Sequence, residues 1–475
     1  MTGPVFGMTV GQNKYLATVD DEMHAVLRVT AQGLDAAADG GATEAAEVIA
    51  IDCSGSMGYP PTKISAARHA TAAAIDALRD GVHFAVIEGT DIATVAYPRQ
   101  QRLVPASRET REAAKAAVKR LQPNGGTAMG SWLWLARSLL AAHPAAVRHV
   151  MLLSDGRNET ETRAELERVL ARCEGEFVCD ARGIGDNWSP EELLRIVSVL
   201  HGSADGIREH GDLVADFAEM MHSAMSKVVP DLRLQIMTPP YARVRFVKQT
   251  FPVEADLTEF GTPMDNATTV YSTGSWGDER REFHICLQVA RGDMPADEDI
   301  LAARVSLAAV RDGEDIGADA PPVAIRVHWT GDLTKSSVIN SAVARALGQT
   351  ELGETVMAGC EAYDAGNLDL AAQRWGQALK LALDLHNDKI AERMRRLIDE
   401  DPDGTAHVKP DLRPEDLMRA AMSSVFSTLG PEDEDGAAAP DAPSGPDRKC
   451  PNCDRISPAT DNFCQGCGTS FEDDE

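Results

Sequence analysis

Basic residues, long apolar runs and a disulfide framework are what this 475-residue chain has least of. Lys and Arg number 46 against 74 Asp and Glu, a formal net charge of −28. So acidic a surface repels phosphates, which argues against broad nucleic-acid binding and leaves only a local basic contact open. No uninterrupted stretch reaches the roughly 18 apolar residues of a membrane span. The best candidate, Trp132 to Leu140, is broken by Arg137. The opening residues, Met1-Thr2-Gly3-Pro4-Val5, lack the basic region and apolar stretch of a secretory signal, so the expected location is cytoplasmic. The cysteines agree. Cys53, Cys173, Cys179, Cys286 and Cys360 are scattered in apolar surroundings and read as reduced core residues, and the strand expected at Phe177-Val178 argues against a Cys173–Cys179 pair. Familiar catalytic signatures are missing as well: there is no Gly-x-x-x-x-Gly-Lys loop, no Gly-x-Ser-x-Gly elbow and no kinase motif set.

What the chain does have is organised around Ile51-Asp52-Cys53-Ser54-Gly55-Ser56-Met57, which follows the apolar run Val48-Ile49-Ala50. A short β-branched run ending in Asp-x-Ser-x-Ser reads as a buried strand opening into a polar loop. Two hydroxyls and a carboxylate are hard oxygen donors, suited to Mg²⁺ or Mn²⁺ rather than to copper or zinc. Taken singly, the motif is equally a turn or a helix N-cap, and Ser154-Asp155-Gly156 is a common turn. Its weight comes from company. Gly125-Gly126-Thr127, and Ser154-Asp155-Gly156 after Val150-Met151-Leu152-Leu153, supply matching oxygens.

Together the three loops resemble the metal-ion-dependent adhesion site of von Willebrand factor type A domains, over roughly Glu44 to Val229. The resemblance implies that Ser54, Ser56 and Thr127 approach the metal directly. Asp52 and Asp155 would complete the shell directly or through water, with a sixth position left for a partner's carboxylate. All five positions match the family pattern, so an intact site is expected. Cys53, between two of the ligands, reads as a small core residue.

Around these loops strands alternate with helices: strands at Glu47–Asp52, His83–Glu88, Ile92–Ala96, His149–Leu153, Phe177–Ile184 and Asp205–Glu209. The intervening helices fall near Ile64–Leu78, Arg108–Leu121, Ser131–Ala142, Arg163–Cys173 and Leu213–Val228, with one more opened by Ser189-Pro190. This is an α/β, Rossmann-like pattern, a mostly parallel sheet with helices on both faces. Ligands in such folds sit beyond the C-terminal strand ends, where all three loops fall. Thr90-Asp91, Asp186-Asn187-Trp188, Asn158-Glu159 and Tyr59 share that rim and are open to a ligand, although most rim polar residues are only solvated. Gly183-x-Gly185 reads as a tight turn rather than a phosphate loop.

Either side of this unit the helix period disappears. Lys14–Val19 and Ala25–Ala31 read as two strands joined by the turn Asp20-Asp21-Glu22. Leu232–Met237, Arg243–Val247, Thr269–Tyr271, Glu282–Ala290, Ala303–Val310 and Val323–Trp329 follow at sandwich-like spacing. One β-sandwich split by the inserted α/β domain accounts for both sets. From Ser336 to Leu429 the chain reads as helical. Gly359, Gly366, Ala371, Trp375 and Ala378 resemble one tetratricopeptide-like hairpin, without the further copies an array needs. Pro431 to Asp447 reads as a disordered acidic linker. Cys450-Pro-Asn-Cys453 and Cys464-Gln-Gly-Cys467 then offer four thiolates, the ligand set of a zinc ribbon that needs Zn²⁺ to fold. The expected boundaries are 1–43 and 230–333 for the sandwich, 44–229 for the type A domain, 334–429 helical, 430–447 linker and 448–475 zinc ribbon.

These features point to a non-enzymatic interaction protein whose Mg²⁺ captures an Asp or Glu of a protein partner. The competing classes are a Mg²⁺-dependent hydrolase or phosphotransfer enzyme, and a nucleic-acid-associated factor acting through the ribbon and Arg448, Lys449 and Arg455. The family resemblance further implies work in regulatory or chaperone-like assemblies.

Overall fold

Strand Ala45–Asp52 is buried at every position, as a central parallel strand must be when helices cover both faces. Its alternate side chains serve two cores. Ile49 and Ile51 pack with helices Thr62–Ala77, Arg108–Val118 and Leu213–Met225. Ala46, Val48 and Ala50 pack with helices Met129–Ala141, Arg163–Cys173 and Pro190–Val199. The structure, a computed structural model, describes residues 5–34, 44–143, 147–185, 187–207, 211–292, 294–311, 313–401, 404–427, 448–449 and 456–457.

The sheet runs in the order Ala204–Ile207, Val178–Ile184, Val147–Ser154, Ala45–Asp52, His83–Gly89, Thr94–Tyr97. Only Thr94–Tyr97 and the short Val104–Pro105, which also pairs with His83–Gly89, run antiparallel to their neighbour. The chain leaves Ala45–Asp52 for His83–Gly89 on one side and later returns to Val147–Ser154 on the other. That reversal is a topological switch point, where strand ends splay and leave a crevice. Asp52 and Ser154 are the last residues of the two strands that flank it.

Residues before and after this domain build two further sheets. One contains Val5–Gln12, Glu22–Gln32, Glu279–Val289, Ala242–Phe251 and Ala255–Asp256. The other contains Thr262–Pro263, Thr268–Ser272, Asp231–Met237, Ile300–Arg311, Val323–Thr330 and Tyr15–Ala17, with Glu314–Asp315 beside Ile300–Arg311. Alternate residues of both, among them Met23, Leu27, Leu234, Phe283, Ile285, Val305, Ile325 and Trp329, form one apolar core. The α/β domain is spliced between Gln32 and Asp231. Glu22–Gln32 pairs with Glu279–Val289 across the splice, putting His24 opposite Cys286.

The two amino-terminal strands read from the sequence are not a hairpin. Tyr15–Ala17 joins Val323–Thr330 in parallel, while Glu22–Gln32 enters the other sheet. The partner of Glu22–Gln32 on its open side is Val5–Gln12, whose two glycines obscure its β character. Gly7 is there for space: a Cβ would lie 2.7 Å from Thr30 Oγ1.

Helices Ser341–Asp364 and Leu368–Asp384 form an antiparallel hairpin. Gly359 lets them close, since a Cβ there would stand 2.4 Å from the ring of buried Trp375. Asp388–Leu397 and Pro414–Ser423 complete the group. The region is not helical throughout: Ile398–Glu400 and Ala406–Val408 make a small antiparallel pair around a turn at Gly404. These helices are anchored to the α/β domain, where Arg393 Nη2 donates to both Asp205 oxygens at 2.9 Å and Arg419 Nε to Gly206 O at 3.0 Å. Among the described residues no helix is long and apolar enough to cross a membrane.

The chain divides into two compact units, Met1–Thr428 and Leu429–Glu475. In the second, Arg448–Lys449 pairs antiparallel with Ile456–Ser457. Cys450, Cys453, Cys464 and Cys467, Arg455 and the acidic linker lie outside the described residues.

Candidate metal centre

Asp52 ends its strand fully buried, and backbone and hydroxyl donors fix both of its oxygens. Oδ1 accepts from Ser54 N at 2.8 Å, and Oδ2 from Ser154 Oγ at 2.7 Å. The chain then turns sharply. Ser54 keeps an extended backbone as it enters the short 3₁₀ turn Gly55–Gly58, so Ser54 and Ser56 point the same way and their hydroxyl oxygens stand 2.9 Å apart. Ser56 Oγ donates to Asp155 Oδ1 at 2.7 Å, which joins the first loop to the third.

The middle loop is zipped to the first by Gly55 N to Gly125 O at 3.0 Å and Asn124 N to Cys53 O at 2.7 Å. Gly125 supplies the left-handed residue this needs, at φ +76°. Thr127 is thereby buried with its hydroxyl facing the other two loops. A Cβ on Gly156 would lie 3.2 Å from Thr127 Oγ1 and 3.5 Å from Ser56 Oγ. All five residues read from the sequence, Asp52, Ser54, Ser56, Thr127 and Asp155, therefore line one small space at the switch point.

Several residues that hold this space carry no sequence signature. Lys63, in the first turn of helix Thr62–Ala77, places its Nζ 2.9 Å from Asp155 Oδ2, both groups buried. Asn158 is a buttress and not a rim contact: its Oδ1 accepts from Met129 N at 2.9 Å and its Nδ2 donates to Glu161 at 2.7 Å. Trp188, also read as a rim residue, is buried, with Nε1 donating to Gly185 O at 3.0 Å. Trp132 Nε1 donates to Thr90 O at 2.6 Å and pins the Thr90-Asp91 loop. Asp186 lies outside the described residues. Tyr59 does stand free, 84% exposed beside the first loop.

The electrostatics fit a cation. Burial, with Asp155 adding to it, pushes the Asp52 carboxyl up to about 6 against the hydrogen bonds from Ser54 and Ser154. Two buried carboxylates face one another across the serines, and the ammonium of Lys63 offsets one of them. An uncompensated buried carboxylate is costly, and oxygen-only donors are the set that Mg²⁺ or Mn²⁺ prefers. Cys53 is fully buried beside them and burial pushes its thiol up well beyond the usual range, which fits a core residue.

Residues 46–205 match the family model for the von Willebrand factor type A domain. A solved von Willebrand factor type A protein from Catenulispora acidiphila is 40% identical over 90% of this chain and 98% of its own, with a TM-score of 0.83. The chain belongs to the von Willebrand factor type A family. The ArnB paralog VWA2 from Sulfolobus acidocaldarius shares the fold at 12% identity and a TM-score of 0.51, over 89% of this chain and 98% of that one. No curated protein sequence matches the chain. The type A identity accounts for the α/β domain and for the placing of its three loops at one end of the sheet.

Proposed function

We propose that this type A protein is a non-enzymatic, cytoplasmic interaction module that holds Mg²⁺ or Mn²⁺ on Asp52, Ser54, Ser56, Thr127 and Asp155 and captures an Asp or Glu carboxylate of a protein partner. The observation that carries this reading is the convergence of those five oxygen-bearing side chains on one space, with two buried carboxylates against one ammonium. The ion would supply the positive charge through which so acidic a chain can attract an acidic ligand. Asp52 would act chiefly by orienting the Ser54 backbone and the Ser154 hydroxyl, and Ser56 by linking the first loop to Asp155. Exposed Tyr59 offers an aromatic contact beside the bound carboxylate.

The split sandwich and the helices anchored on Asp205 make a rigid mount for the site, and 448–475 a tethered ribbon holding Zn²⁺ on Cys450, Cys453, Cys464 and Cys467. The antiparallel pairing of 448–449 with 456–457 brackets the first cysteine knuckle and supports that assignment. The buried free thiols of Cys53, Cys173, Cys179, Cys286 and Cys360 fit a reducing compartment. Pull-down of partners in Mg²⁺ against chelator, with intact protein beside Asp155→Ala, tests the reading. Capture is expected only with both the ion and Asp155. Capture that persists in chelator and in the variant refutes it, and turnover of a phosphoester by the Mg²⁺-loaded chain would favour an enzyme instead.

A further inference from the structure

Outside the type A domain, two strands that sequence separates by the whole inserted domain bring nitrogen, sulfur and carboxylate donors together on the outer face of the sandwich. His24 and Cys286 are directly opposed in the register of Glu22–Gln32 with Glu279–Val289, and Val26 opposes His284 one step along the same face. One donor atom each from Glu22, His24 and Cys286 lie within 4.8 Å of one another. We propose that these three residues form a second metal site, for Zn²⁺ or a similar borderline-soft dication, with a water in the remaining position.

The surroundings are arranged as a ligating histidine requires. His24 Nδ1 is 3.0 Å from His284 Nε2, while His24 Nε2 faces Glu22 Oε2 at 4.0 Å. With Nδ1–H donated to His284, Nε2 keeps its lone pair free to ligate beside Glu22. Metal-bound imidazoles commonly use their second nitrogen in this way, to fix tautomer and ring angle. His284 is itself held by the edge-on ring of Phe246 at 5.0 Å. Arg245 engages the other oxygen of Glu22 and leaves Oε2 free to turn inward. A tetrahedral zinc shell needs donor separations of roughly 3.3–3.7 Å. Glu22, 41% exposed in its side chain, can close that difference by rotation, while Cys286 is fixed and buried and His24 remains 22% open to solvent as the entry path. The mixed N, S, O set separates this site from the oxygen-only one: it selects zinc-class ions where the type A loops select Mg²⁺.

The test uses the full chain with the four tail cysteines replaced (C450S, C453S, C464S, C467S), stripped of metal and titrated with Co²⁺. The expected result is a thiolate-to-cobalt charge-transfer band saturating at about one equivalent, a signature that oxygen donors cannot give. Cys286→Ser should abolish it. Glu22→Gln, at a partly exposed position, should weaken binding tenfold or more with the fold intact by circular dichroism. His284→Phe should weaken it on the order of 10–100-fold while leaving the band's shape, as expected for an orienting partner. Absence of the band in the folded parent, or its survival in Cys286→Ser, overturns the proposal. Neither result bears on the Mg²⁺ reading, which the same titration does not report.

Discussion

The parallel sheet of the type A domain buries two clusters of charge on the same strands, and they are built to opposite ends. Along Ala45–Asp52, Val147–Ser154 and Val178–Ile184, Glu47, His149 and Asp180 lie in the sheet, while Asp52 and Asp155 lie at its C-terminal edge. In the first cluster His149 stands between the acids, Nδ1 at 2.9 Å from Glu47 Oε2 and Nε2 at 3.0 Å from Asp180 Oδ2. Asp180 Oδ1 takes the N–H and hydroxyl of Ser203 as well. Burial opposes the His149 cation, but the two flanking carboxylates outweigh it and hold the imidazole up to about 10. The same ion pairing keeps Asp180 well below the usual carboxylate range. This cluster supplies its own cation. The other presents three hydroxyls and two carboxylates at the strand ends and loops, with Lys63 meeting one acid only, and on the proposed reading is completed by an ion. On that reading, what distinguishes a structural from a binding cluster is which of them the chain can neutralise by itself.

The sharpest way to break the comparison is to take the cation from the closed cluster. His149→Leu leaves Glu47 and Asp180 buried without the cation between them and is expected to cost about 3–5 kcal/mol, read as a drop in the denaturant midpoint that Mg²⁺ does not repair. Titration should do the same gradually. The folded-state pKa of His149 is raised above its ordinary 6.5, so the unfolded chain gives up this proton near 6.5 and the folded chain only near 10. Its contribution is whole below pH 6.5 and is lost as pH rises through about 10, on the order of a few kcal/mol. The loss between pH 6.5 and about 10 should be absent in His149→Leu, and a pH series of melts that is flat in this window for the native chain would contradict the assignment.

At the open cluster the ion should add stability. Saturation at a hundredfold over Kd is expected to contribute about 2.7 kcal/mol, visible as a Mg²⁺-dependent rise in Tm. Asp155→Ala should remove that increment and, because it strips buried Lys63 of its partner, also lower the ion-free melt. An equal Mg²⁺ effect in both proteins would place the ion elsewhere.

The two clusters also differ in how far they could be read from sequence. The loop oxygens were legible because each loop carries its donors at short spacing: Asp52, Ser54 and Ser56 lie within a few residues, and Thr127 and Asp155 sit in turns of recognisable composition. Strand and helix periods placed those turns at one end of the sheet. Glu47, His149 and Asp180 were not legible, because each is a lone polar residue in an apolar run and only the parallel register brings them together. His24 and Cys286 were hidden for the same reason, compounded by the inserted domain between them. The amino-terminal strands are adjacent in sequence yet do not pair with each other: Tyr15–Ala17 extends the edge of the other sheet in parallel, a long-range pairing that no local pattern signals. Lys63 carries no sequence signal, because a lysine in the first turn of a helix ordinarily faces water.

Lys63 gives the finest discrimination between the two clusters. If the open site were structural, like the closed one, its ammonium would be the permanent partner of Asp155, and Lys63→Met would destabilise the protein with or without metal. If the site is a binding site, the ammonium holds Asp155 until the ion arrives and repels a dication at close range. Lys63→Met should then lower the melt of the metal-free chain and yet tighten Mg²⁺ about tenfold, close to 1.4 kcal/mol, so that the saturated proteins melt closer together than the metal-free ones. Calorimetric titration of both proteins with Mg²⁺, beside melts at zero and saturating ion, reads the two effects separately. Weaker Mg²⁺ binding in Lys63→Met would instead make the lysine an orienting group for Asp155, and would move the open cluster toward the closed one in kind.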